Sequence, residues 1–496
     1  MNVLLIYPEI PDTFWSFKHA LKFIRKKAAS PPLGLLTIAS MLPAKWKKRL
    51  VDINVRKLSS EDLSWADCAL ISAMTVQRDS ACRVIAQCKE AGLKVIAGGP
   101  LFTTEHEQFE MVDHFVLNEA ELTLPAFLKD FSQGSAKRVY TTSDFADIRQ
   151  TPAPMWQLVR PGDYASMSVQ FSRGCPYNCE FCNVTALFGH RPRTKSALQM
   201  IAELESLYRL GWRGGVFFVD DNLIGNKTHL KTELLPALTE WRKGKTGFLF
   251  NTEVSINLAD DEPLIQMMVK AGFDTVFIGI ETPNEDSLAE CSKKQNMNRD
   301  LVLDVKRIQR QGLQVQGGFI LGFDNDSALT FRRLTDFIQK SGIATAMVGL
   351  LQAPPGTKLY ERLKQAGRLL DRLSGDNVDG STNIIPAMNL EALRKGYKDV
   401  LQYLYSPEAY YQRVKTFLRE YKPPKIKVRL DFRHVFDNIH ALIRSVLRLG
   451  IMGKERVQYW KLFLWTLLRR PRAFPMAITL AIYGHHFRKT SETHVR

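Results

Sequence analysis

The sequence predicts an α/β protein in three parts: a doubly wound parallel sheet, a six-stranded partial barrel, and a helical C-terminal region. The chain has 496 residues, of which 45% are hydrophobic and 24% are charged, a composition typical of globular proteins. This length exceeds what one hydrophobic core usually organises. Two different rhythms of strand and helix patterns, followed by a strongly basic stretch, indicate where the parts divide.

Residues 1–140 alternate short apolar runs with helical patterns, which predicts an open, Rossmann-like parallel sheet. The apolar and helical segments are 3–7, 33–42, 50–53, 68–73, 81–91, 95–98, 115–117 and 122–131. Ligands of such sheets bind beyond the carboxyl ends of the strands. We therefore expect ligand contacts in loops 7–9, 72–77, 98–100 and 118–121, with Ser72, Gly98 and Gly99 among them. Ordinary loop formation is the alternative for each.

From residue 166 to 355, helical patterns end at a glycine and a β-rich run follows within a few residues. The glycines are Gly211, Gly244, Gly272, Gly312 and Gly342. With 166–171 as the first strand, this rhythm predicts six strands joined by five helices in right-handed crossovers. The expected architecture for residues 141–385 is a partial (β/α)6 TIM-like barrel. Its catalytic groups should follow the carboxyl ends of the strands.

Residues 386–496 are predicted to be helical. Apolar and aromatic positions recur at helical spacing over 386–421, with a break at Pro407, and this segment is expected to cap the barrel. The net charge of +17 is concentrated after it, because residues 422–496 hold 16 Lys or Arg and 4 Asp or Glu. The tail is therefore a distinct basic region.

The seven cysteines do not form a paired framework, and no segment has the pattern of a signal peptide. We expect a reducing, cytoplasmic location, which also suits thiolate ligation. The apolar stretch 473–487 is shorter than the roughly 20 residues that span a bilayer, so no transmembrane helix is expected.

Three cysteines stand in one short C-x3-C-x2-C loop directly after the first predicted barrel strand. They are Cys175, Cys179 and Cys182. Three thiolates of one loop can bind three irons of a cubane cluster and leave the fourth iron open to an exogenous ligand. A zinc ion held together with His190 is the competing interpretation. The four other cysteines are expected to be structural.

This loop, with Phe181 before its last cysteine and a six-stranded barrel behind it, resembles the radical S-adenosylmethionine (SAM) superfamily. The first sheet, with residues 31–35 and 118–121, resembles the subgroup that carries a cobalamin-binding domain before the barrel. Residues 386–487 are similar to the C-terminal domain of a branch that includes hopanoid methylases. The resemblance implies a [4Fe-4S] cluster on the three cysteines, SAM cleaved to a 5′-deoxyadenosyl radical, and Phe181 near the adenine. Simple packing is the alternative for Phe181.

Acidic side chains end three consecutive predicted strands, namely Asp220, Asp221, Glu253 and Glu281. Such groups can bind the SAM ammonium and ribose hydroxyls through charge-assisted hydrogen bonds. Asp220 and Asp221 stand where the family usually has a Gly-Gly-Glu-like element, and helix capping is the alternative for Asp221 or Asn222. Gly318 and Gly322 on the fifth strand fit the glycine-rich element that lets adenine approach the backbone.

For the first domain, the resemblance implies cobalamin near Ser72, Gly98 and Gly99. Many cobalamin folds ligate cobalt through the histidine of an Asp-x-His-x-x-Gly motif, which residues 1–140 lack. His19, His106 and His114 have other surroundings. We therefore expect base-off cobalamin without a histidine ligand; a degenerate domain kept for packing or substrate binding is the alternative.

The basic tail combines arginines with an apolar and aromatic pattern, which predicts that residues 425–489 bind a membrane interface. The expected anchors are Trp460, Phe463, Trp465 and Phe474. Packing on the barrel is the closest alternative, and RNA binding is the least favoured. An acidic flavodoxin or ferredoxin that donates electrons is a further expected partner of a basic surface.

The function implied by the resemblance is cobalamin-dependent radical SAM methyl transfer to an unactivated carbon. Radical cyclisation or rearrangement without methyl transfer is the alternative among enzymes, and an iron-sulfur or cobalamin sensor is the alternative among non-enzymes. The expected substrate is a small molecule or a membrane lipid such as a polycyclic terpenoid. The expected location is cytoplasmic and peripheral to the inner face of the membrane.

Overall fold

The first part of the chain is a parallel sheet whose six strands stand in the order β2-β1-β3-β4-β5-β6. The computed structural model describes residues 1–370, 373–423 and 432–495. The six strands are β1 (Asn2–Tyr7), β2 (Lys47–Asp52), β3 (Cys68–Ser72), β4 (Lys94–Gly98), β5 (His114–Val116) and β6 (Val139–Tyr140). The apolar pattern of the sequence predicted all of them but β6, which is only two residues long.

Helices cover both faces of this sheet, as a doubly wound fold requires. They are α2 (Leu33–Met41), α3 (Ser60–Trp65), α4 (Arg78–Glu90), α5 (Pro100–Glu105) and α6 (Ala120–Ser132), whereas α1 (Lys18–Ile24) packs against the C-terminal helices. Successive strand residues face opposite sides. Leu4 and Ile6 therefore enter one apolar core, and Val3 enters another. The predicted fold class is confirmed for this part.

The second parallel sheet has six strands in sequence order along its width, from β7 to β14. They are β7 (Ser166–Val169), β10 (Gly215–Phe218), β11 (Phe250–Glu253), β12 (Phe273–Glu281), β13 (Gln314–Leu321) and β14 (Ala346–Leu350). A short antiparallel pair, β8 (Ser172–Arg173) and β9 (Arg193–Thr194), follows β7. The third strand starts two residues later than predicted, because Phe248 has a φ of 59° and lies in a turn.

The helices of this part complete the predicted β-α-β units. They are α7 (Val184–Phe188), α8 (Ala197–Arg209), α9 (Lys227–His229), α10 (Leu235–Trp241), α11 (Glu262–Ala271), α12 (Glu285–Glu290), α13 (Leu301–Arg310), α14 (Ala328–Ser341) and α15 (Lys358–Gln365). The glycine after α11 has a φ of 106° and the glycine after α14 a φ of 74°. A left-handed residue is what ends such helices, and it lets the next strand begin.

The C-terminal region is helical, as predicted. Its helices are α16 (Leu390–Leu404), α17 (Pro407–Glu420), α18 (Phe432–Ser445), α19 (Arg456–Arg469) and α20 (Phe474–Val495), and a π-helical turn (Val446–Ile451) continues α18. Positions 424–431 of the predicted tail lie outside the described residues. None of the helices described is long and apolar enough to cross a membrane.

The last helix packs into the main core. The Phe487 ring stacks on Phe14 at 4.1 Å, and His486 Nε2 lies 3.0 Å from the Phe14 carbonyl oxygen. Three of the expected membrane anchors, Phe463, Trp465 and Phe474, also pack against this core. These rings are only partly buried, so their predicted role as membrane anchors stays a prediction.

Candidate active site

A cavity of about 1700 Å³ lies between the two parallel sheets and is bordered by the tail helices. The carboxyl ends of β3 and β4 line it with Ser72, Gly98 and Gly99. The carboxyl end of β11 lines it with Glu253. Both sheets therefore present their ligand-binding edges to one space, as expected for parallel strands.

The cysteine loop begins where the small β8–β9 pair turns away from the barrel. Gly174, just before Cys175, has a φ of 91°, and a Cβ there would lie 2.9 Å from the carbonyl oxygens of Gly189 and Arg191. Only glycine fits such a turn. The far side of the loop is held by Glu180, whose carboxylate accepts hydrogen bonds of 2.6 and 2.9 Å from Arg362.

The three loop thiols are neighbours but do not form a compact ion site. Burial raises the pKa of Cys175, and burial raises that of Cys182 to about 12. Within the part of the chain that is described, the three sulfurs and His190 do not form a group with ligand atoms within 4.8 Å of one another. A tetrahedral zinc ion with Zn–S bonds of about 2.3 Å needs sulfurs about 3.8 Å apart. The spacing thus favours thiolates that bind separate irons.

Asp220 is fully buried and holds the start of this loop. Its Oδ2 accepts from the Phe171 N–H at 3.2 Å, and its Oδ1 accepts from the Ser172 N–H and, at 2.6 Å, from the Ser172 hydroxyl. Burial raises its pKa to about 7. These hydrogen bonds give Asp220 a positioning role, and its predicted contact with SAM stays a prediction.

Asp221 has a carboxylate oxygen without a partner. Its Oδ2 is buried and makes no hydrogen bond within the structure, and burial raises the pKa of Asp221 to about 6 against the opposing Gly174 N–H. Asn222 makes no capping bond and instead contacts Ser255. Helix capping by Asn222 is thus wrong. A buried, unsatisfied acceptor beside the cysteine loop is a fitting partner for an ammonium group.

Glu253 lines the cavity at the end of β11. Burial raises its pKa to about 8, and the nearby Asp221 and Asp220 add to the shift while Lys293 opposes it. Clustered carboxyls with raised pKa values are typical of sites that receive a cationic or hydroxyl-bearing ligand.

Glu281 and Lys293 form a buried ion pair, of which the sequence pattern indicated only Glu281. Lys293 Nζ lies 2.7 Å from Glu281 Oε1, and both side chains are largely buried. Glu281 has a φ of 64°, an uncommon conformation for a residue other than glycine. Burial alone would lower the pKa of Lys293, but Glu281 and the loop thiol Cys179 raise it above its ordinary value. A fixed cation therefore stands beside the cysteines.

Phe181, Gly318 and Gly322 lie away from the large cavity. Phe181 packs with the cluster around Phe323 and has Lys293 Nζ 5.9 Å from its ring centroid. A Cβ on Gly318 would lie 2.7 Å from the Phe277 ring, and Gly322 has a φ of 108°. The two glycines are thus required by local packing and by backbone conformation; their predicted contact with adenine stays a prediction.

The first-sheet edge of the cavity is built from backbone. A Cβ on Gly98 would lie 2.6 Å from the Val116 oxygen, and one on Gly99 would lie 2.5 Å from Ser72 Oγ. His19, His106 and His114 do not line the cavity. His19 instead pairs with Asp12, and His114 Nδ1 lies 2.8 Å from the Lys137 oxygen. A large ring bound here would therefore meet glycine and serine without an imidazole ligand from these residues.

An ionic link joins this edge to the cysteine loop. Arg173, two residues before Cys175, lies 3.1 Å from Glu119 and 2.9 Å from Glu121. Arg193 on β9 adds a 2.8 Å contact to Glu119. Loop 118–121 lines the cavity, so its predicted contact with a ligand stays a prediction, and its two glutamates also join the first sheet to the cysteine loop.

Sequence profiles match three successive parts of the chain. They are the B12 binding domain over residues 26–128, the Radical SAM superfamily over residues 169–338, and a domain of unknown function (DUF4070) over residues 357–496. The uncharacterized methyltransferase sll1242 of Synechocystis sp. is 39% identical, covering 98% of this chain and 91% of its own. The hopanoid C-2 methylase of Rhodopseudomonas palustris is 33% identical, covering 94% and 90%.

Solved structures share the fold at low sequence identity. The cobalamin-dependent SAM radical enzyme OxsB has a TM-score of 0.63 at 12% identity, covering 99% of this chain and 80% of its own. The radical SAM methyltransferase TsrM from Kitasatospora setae has a TM-score of 0.62 at 13% identity, covering both chains fully.

A B12-binding sheet, a radical SAM barrel and a three-cysteine loop define a cobalamin-binding radical SAM enzyme. The chain belongs to the cobalamin-binding radical SAM methyltransferase family. The cofactors of this family are a [4Fe-4S] cluster, SAM and cobalamin. The residues present fit them: three spaced thiols, the unsatisfied Asp221 oxygen, and a glycine-lined edge on a large cavity.

Proposed function

We propose that the protein transfers a methyl group to an unactivated carbon of an apolar substrate held in the cavity between the two sheets. The observation that carries this proposal is the single cavity that the B12-side residues Ser72, Gly98 and Gly99 share with Glu253 of the barrel. A methyl donor on one side and a radical source on the other need such a shared space, because reacting atoms must approach within about 3–3.5 Å.

We assign the residues as follows. Residues 1–140 bind cobalamin, 141–385 hold the cluster, and 386–496 close the cavity. Cys175, Cys179 and Cys182 bind the cluster, and Phe181 packs beside it. Asp221, Glu253 and Glu281 bind the polar groups of SAM. Lys293 balances the charge of the thiolates or pairs with the SAM carboxylate.

When bound, the cluster would supply an electron, SAM would supply a radical and a methyl group, and cobalamin would carry the methyl group. The chain's own contribution is position and electrostatics. Asp220 fixes the cysteine loop through three hydrogen bonds, and Arg173 fixes that loop to the first sheet. The mainly apolar walls of the cavity keep water out, which strengthens the polar interactions that position the bound groups.

The apolar lining of the cavity supports a lipid-like substrate. Trp15, Phe217 and Phe277 line it on the barrel side, and Ile439 and Ile482 on the tail side. One relative is a hopanoid C-2 methylase. We propose a polycyclic terpenoid as the substrate, a flavodoxin or ferredoxin as the electron donor, and peripheral contact of the tail with the membrane.

Anaerobic incubation of the reconstituted protein with SAM labelled in its methyl group and a pentacyclic hopanoid tests the reaction. The expected product carries one labelled methyl group, and SAM is cleaved in step with product. SAM cleavage with an isomerised, unlabelled product would indicate cyclisation or rearrangement instead. A folded protein with a full cluster and no SAM cleavage would indicate a sensor.

A further inference from the structure

Two tail helices carry apolar side chains on their outer faces. On α18 and its π-helical continuation these side chains follow one stripe at helical spacing. They are Phe436, Ile439, Ile443, Leu447 and Ile451, with exposed fractions of 47% to 62%. On α19 a second stripe consists of Val457, Leu464 and Leu468, with exposed fractions of 51% to 79%.

The opposite faces of the same helices are fixed in the protein. Ala441 and Leu449 on one, and Tyr459 and Leu462 on the other, are buried in the main core. The Tyr459 hydroxyl also bonds to Ser445 at 2.8 Å. The stripes therefore cannot turn inward, and no described residue covers them. An apolar face of this extent marks an interaction surface.

The surroundings of the stripes are basic. Residues 436–472 hold eight Lys or Arg and two acidic residues. One of the two, Glu455, is buried and paired with Arg488 and His485. Burial lowers the pKa of Lys415, and the nearby Lys461 and Arg419 lower it further, which indicates uncompensated positive charge. An apolar stripe rimmed by cations matches the boundary of an anionic bilayer.

The same stripe meets the mouth of the active-site cavity. Ile439 is 47% exposed and also lines the cavity. Leu442 on α18, Ile482 on α20, and Phe17 and Leu21 at α1 are further apolar residues of its lining. The apolar outer surface thus continues into the apolar wall of the cavity.

We propose that α18 and α19 dock on the surface of an anionic lipid bilayer, and that the cavity opens toward that bilayer between α18 and α20 as a portal for an apolar substrate. Docking stands on the surface alone. The portal rests on the proposed function, because it assumes that the cavity takes an apolar substrate. The anchors are aliphatic side chains of two helices lying in the interface, with cations around them.

Co-sedimentation of the full-length protein with vesicles of phosphatidylcholine and phosphatidylglycerol tests the docking. Wild type should bind, and binding should weaken as salt rises, because a Debye length of about 8 Å at physiological salt screens the charges. Leu464→Gln/Leu468→Gln should bind roughly tenfold more weakly. Leu198→Gln/Leu329→Gln is the matched control, because these exposed leucines lie on α8 and α14; it should bind like wild type.

Charge reversal tests the electrostatic contribution to vesicle binding and leaves the apolar side chains unchanged. Lys461→Glu/Arg469→Glu should weaken binding roughly tenfold. Arg332→Glu/Arg333→Glu, two exposed residues of α14, should leave it unchanged. Equal weakening by both charge pairs, or no vesicle binding by folded wild type at low salt, would overturn the docking. So would a dimer in vesicle-free solution that Leu464→Gln/Leu468→Gln converts to monomer, because a second copy would then cover the stripes.

The portal is tested with N-phenyl-1-naphthylamine, an apolar fluorophore, and requires neither cofactor nor turnover. Leu442→Trp should slow uptake of the probe several-fold, whereas Leu198→Trp should leave the uptake rate unchanged. Unchanged uptake in a folded Leu442→Trp variant would overturn the portal while leaving both docking and the methyl-transfer proposal standing. Loss of methyl transfer with normal vesicle binding and uptake would contradict only the proposed function.

Discussion

The two sheets face the same cavity with opposite chemistry. The first sheet offers Ser72 and two glycines, all neutral, at the ends of β3 and β4, and the two glutamates after β5 are paired with Arg173 and Arg193. The barrel offers Glu253 on the cavity wall and, around the cysteine loop, Asp221 and the Glu281–Lys293 pair. Strand count and parallel direction are the same in both sheets. Fold therefore determines where ligands bind, and the side chains at the strand ends determine which ligands they are.

The largest expected effect is the loss of the cluster at the barrel without any loss of corrinoid binding at the first sheet. Cys179→Ala should abolish cluster assembly, lowering iron from about four per chain to near zero and removing SAM cleavage. Corrinoid binding at the first sheet should remain, because its contacts are elsewhere. Iron analysis and the corrinoid absorption spectrum measure both on one sample. Cys82→Ser, an exposed cysteine of α4, serves as the control and should keep its iron. Full activity with stoichiometric zinc would contradict the cluster assignment.

The next effect concerns the buried cation of the barrel edge. Lys293→Met leaves Glu281 buried and unpaired, which should lower the free energy of unfolding by about 3–5 kcal/mol. The double variant Glu281→Gln/Lys293→Met should recover most of that loss. In the single variant, removal of a positive charge beside the thiolates should make the cluster's reduction potential more negative, whereas the double variant also loses the Glu281 charge and should shift the potential less. Denaturant unfolding and redox titration are the measurements. An unchanged reduction potential in Lys293→Met would show that the charge of Lys293 does not influence the cluster.

A smaller effect is expected at the neutral edge. Gly99→Ala introduces a Cβ at positive φ, which costs about 1–2 kcal/mol, and displaces Ser72. Gly92 also has a positive φ, of 75°, and has open space around it. Gly92→Ala should therefore have the same backbone cost in stability without changing the cavity. Corrinoid affinity should fall roughly tenfold in Gly99→Ala and stay constant in Gly92→Ala. Equal corrinoid affinity in both variants would contradict the assignment of cobalamin to this edge of the first sheet.

The smallest effect is a pH dependence of the charged edge. The pKa of Glu253 is raised to about 8 from an ordinary value of 4.5, so the folded protein keeps a proton that the unfolded chain releases. This contribution to stability is complete below pH 4.5 and is lost as the pH rises toward 8. Between these limits the free energy of unfolding of wild type should fall by about 1 kcal/mol relative to that of Glu253→Gln. The effect is small because partial exposure of Glu253 screens it. Glu391→Gln, on the surface of α16, should follow wild type.

Much of this contrast could be predicted from the sequence. Glycines that end helices before β-rich runs predicted the barrel, and acidic residues after those runs predicted its charged edge. Lys293 was missed because its partner is twelve positions away and belongs to a strained strand end. The link from Arg173 to Glu119 and Glu121 spans more than fifty positions, which local patterns do not show. The periodicity of the sequence predicted amphipathic helices in the tail, but it did not indicate which apolar side chains are exposed to solvent and which are buried.

The stacking of Phe14 on Phe487 bears on the order of events during synthesis. The hydrogen bond between His486 and the Phe14 carbonyl joins positions 472 residues apart. At about 5–20 residues per second, a ribosome needs roughly half a minute or more to make that interval. The side chains of residues 14–24 that α20 covers, Phe14 among them, therefore lack that partner until the last helix has been made. Nascent chains that stop before α20 should be cut by protease in this early segment, and released full-length chains should resist.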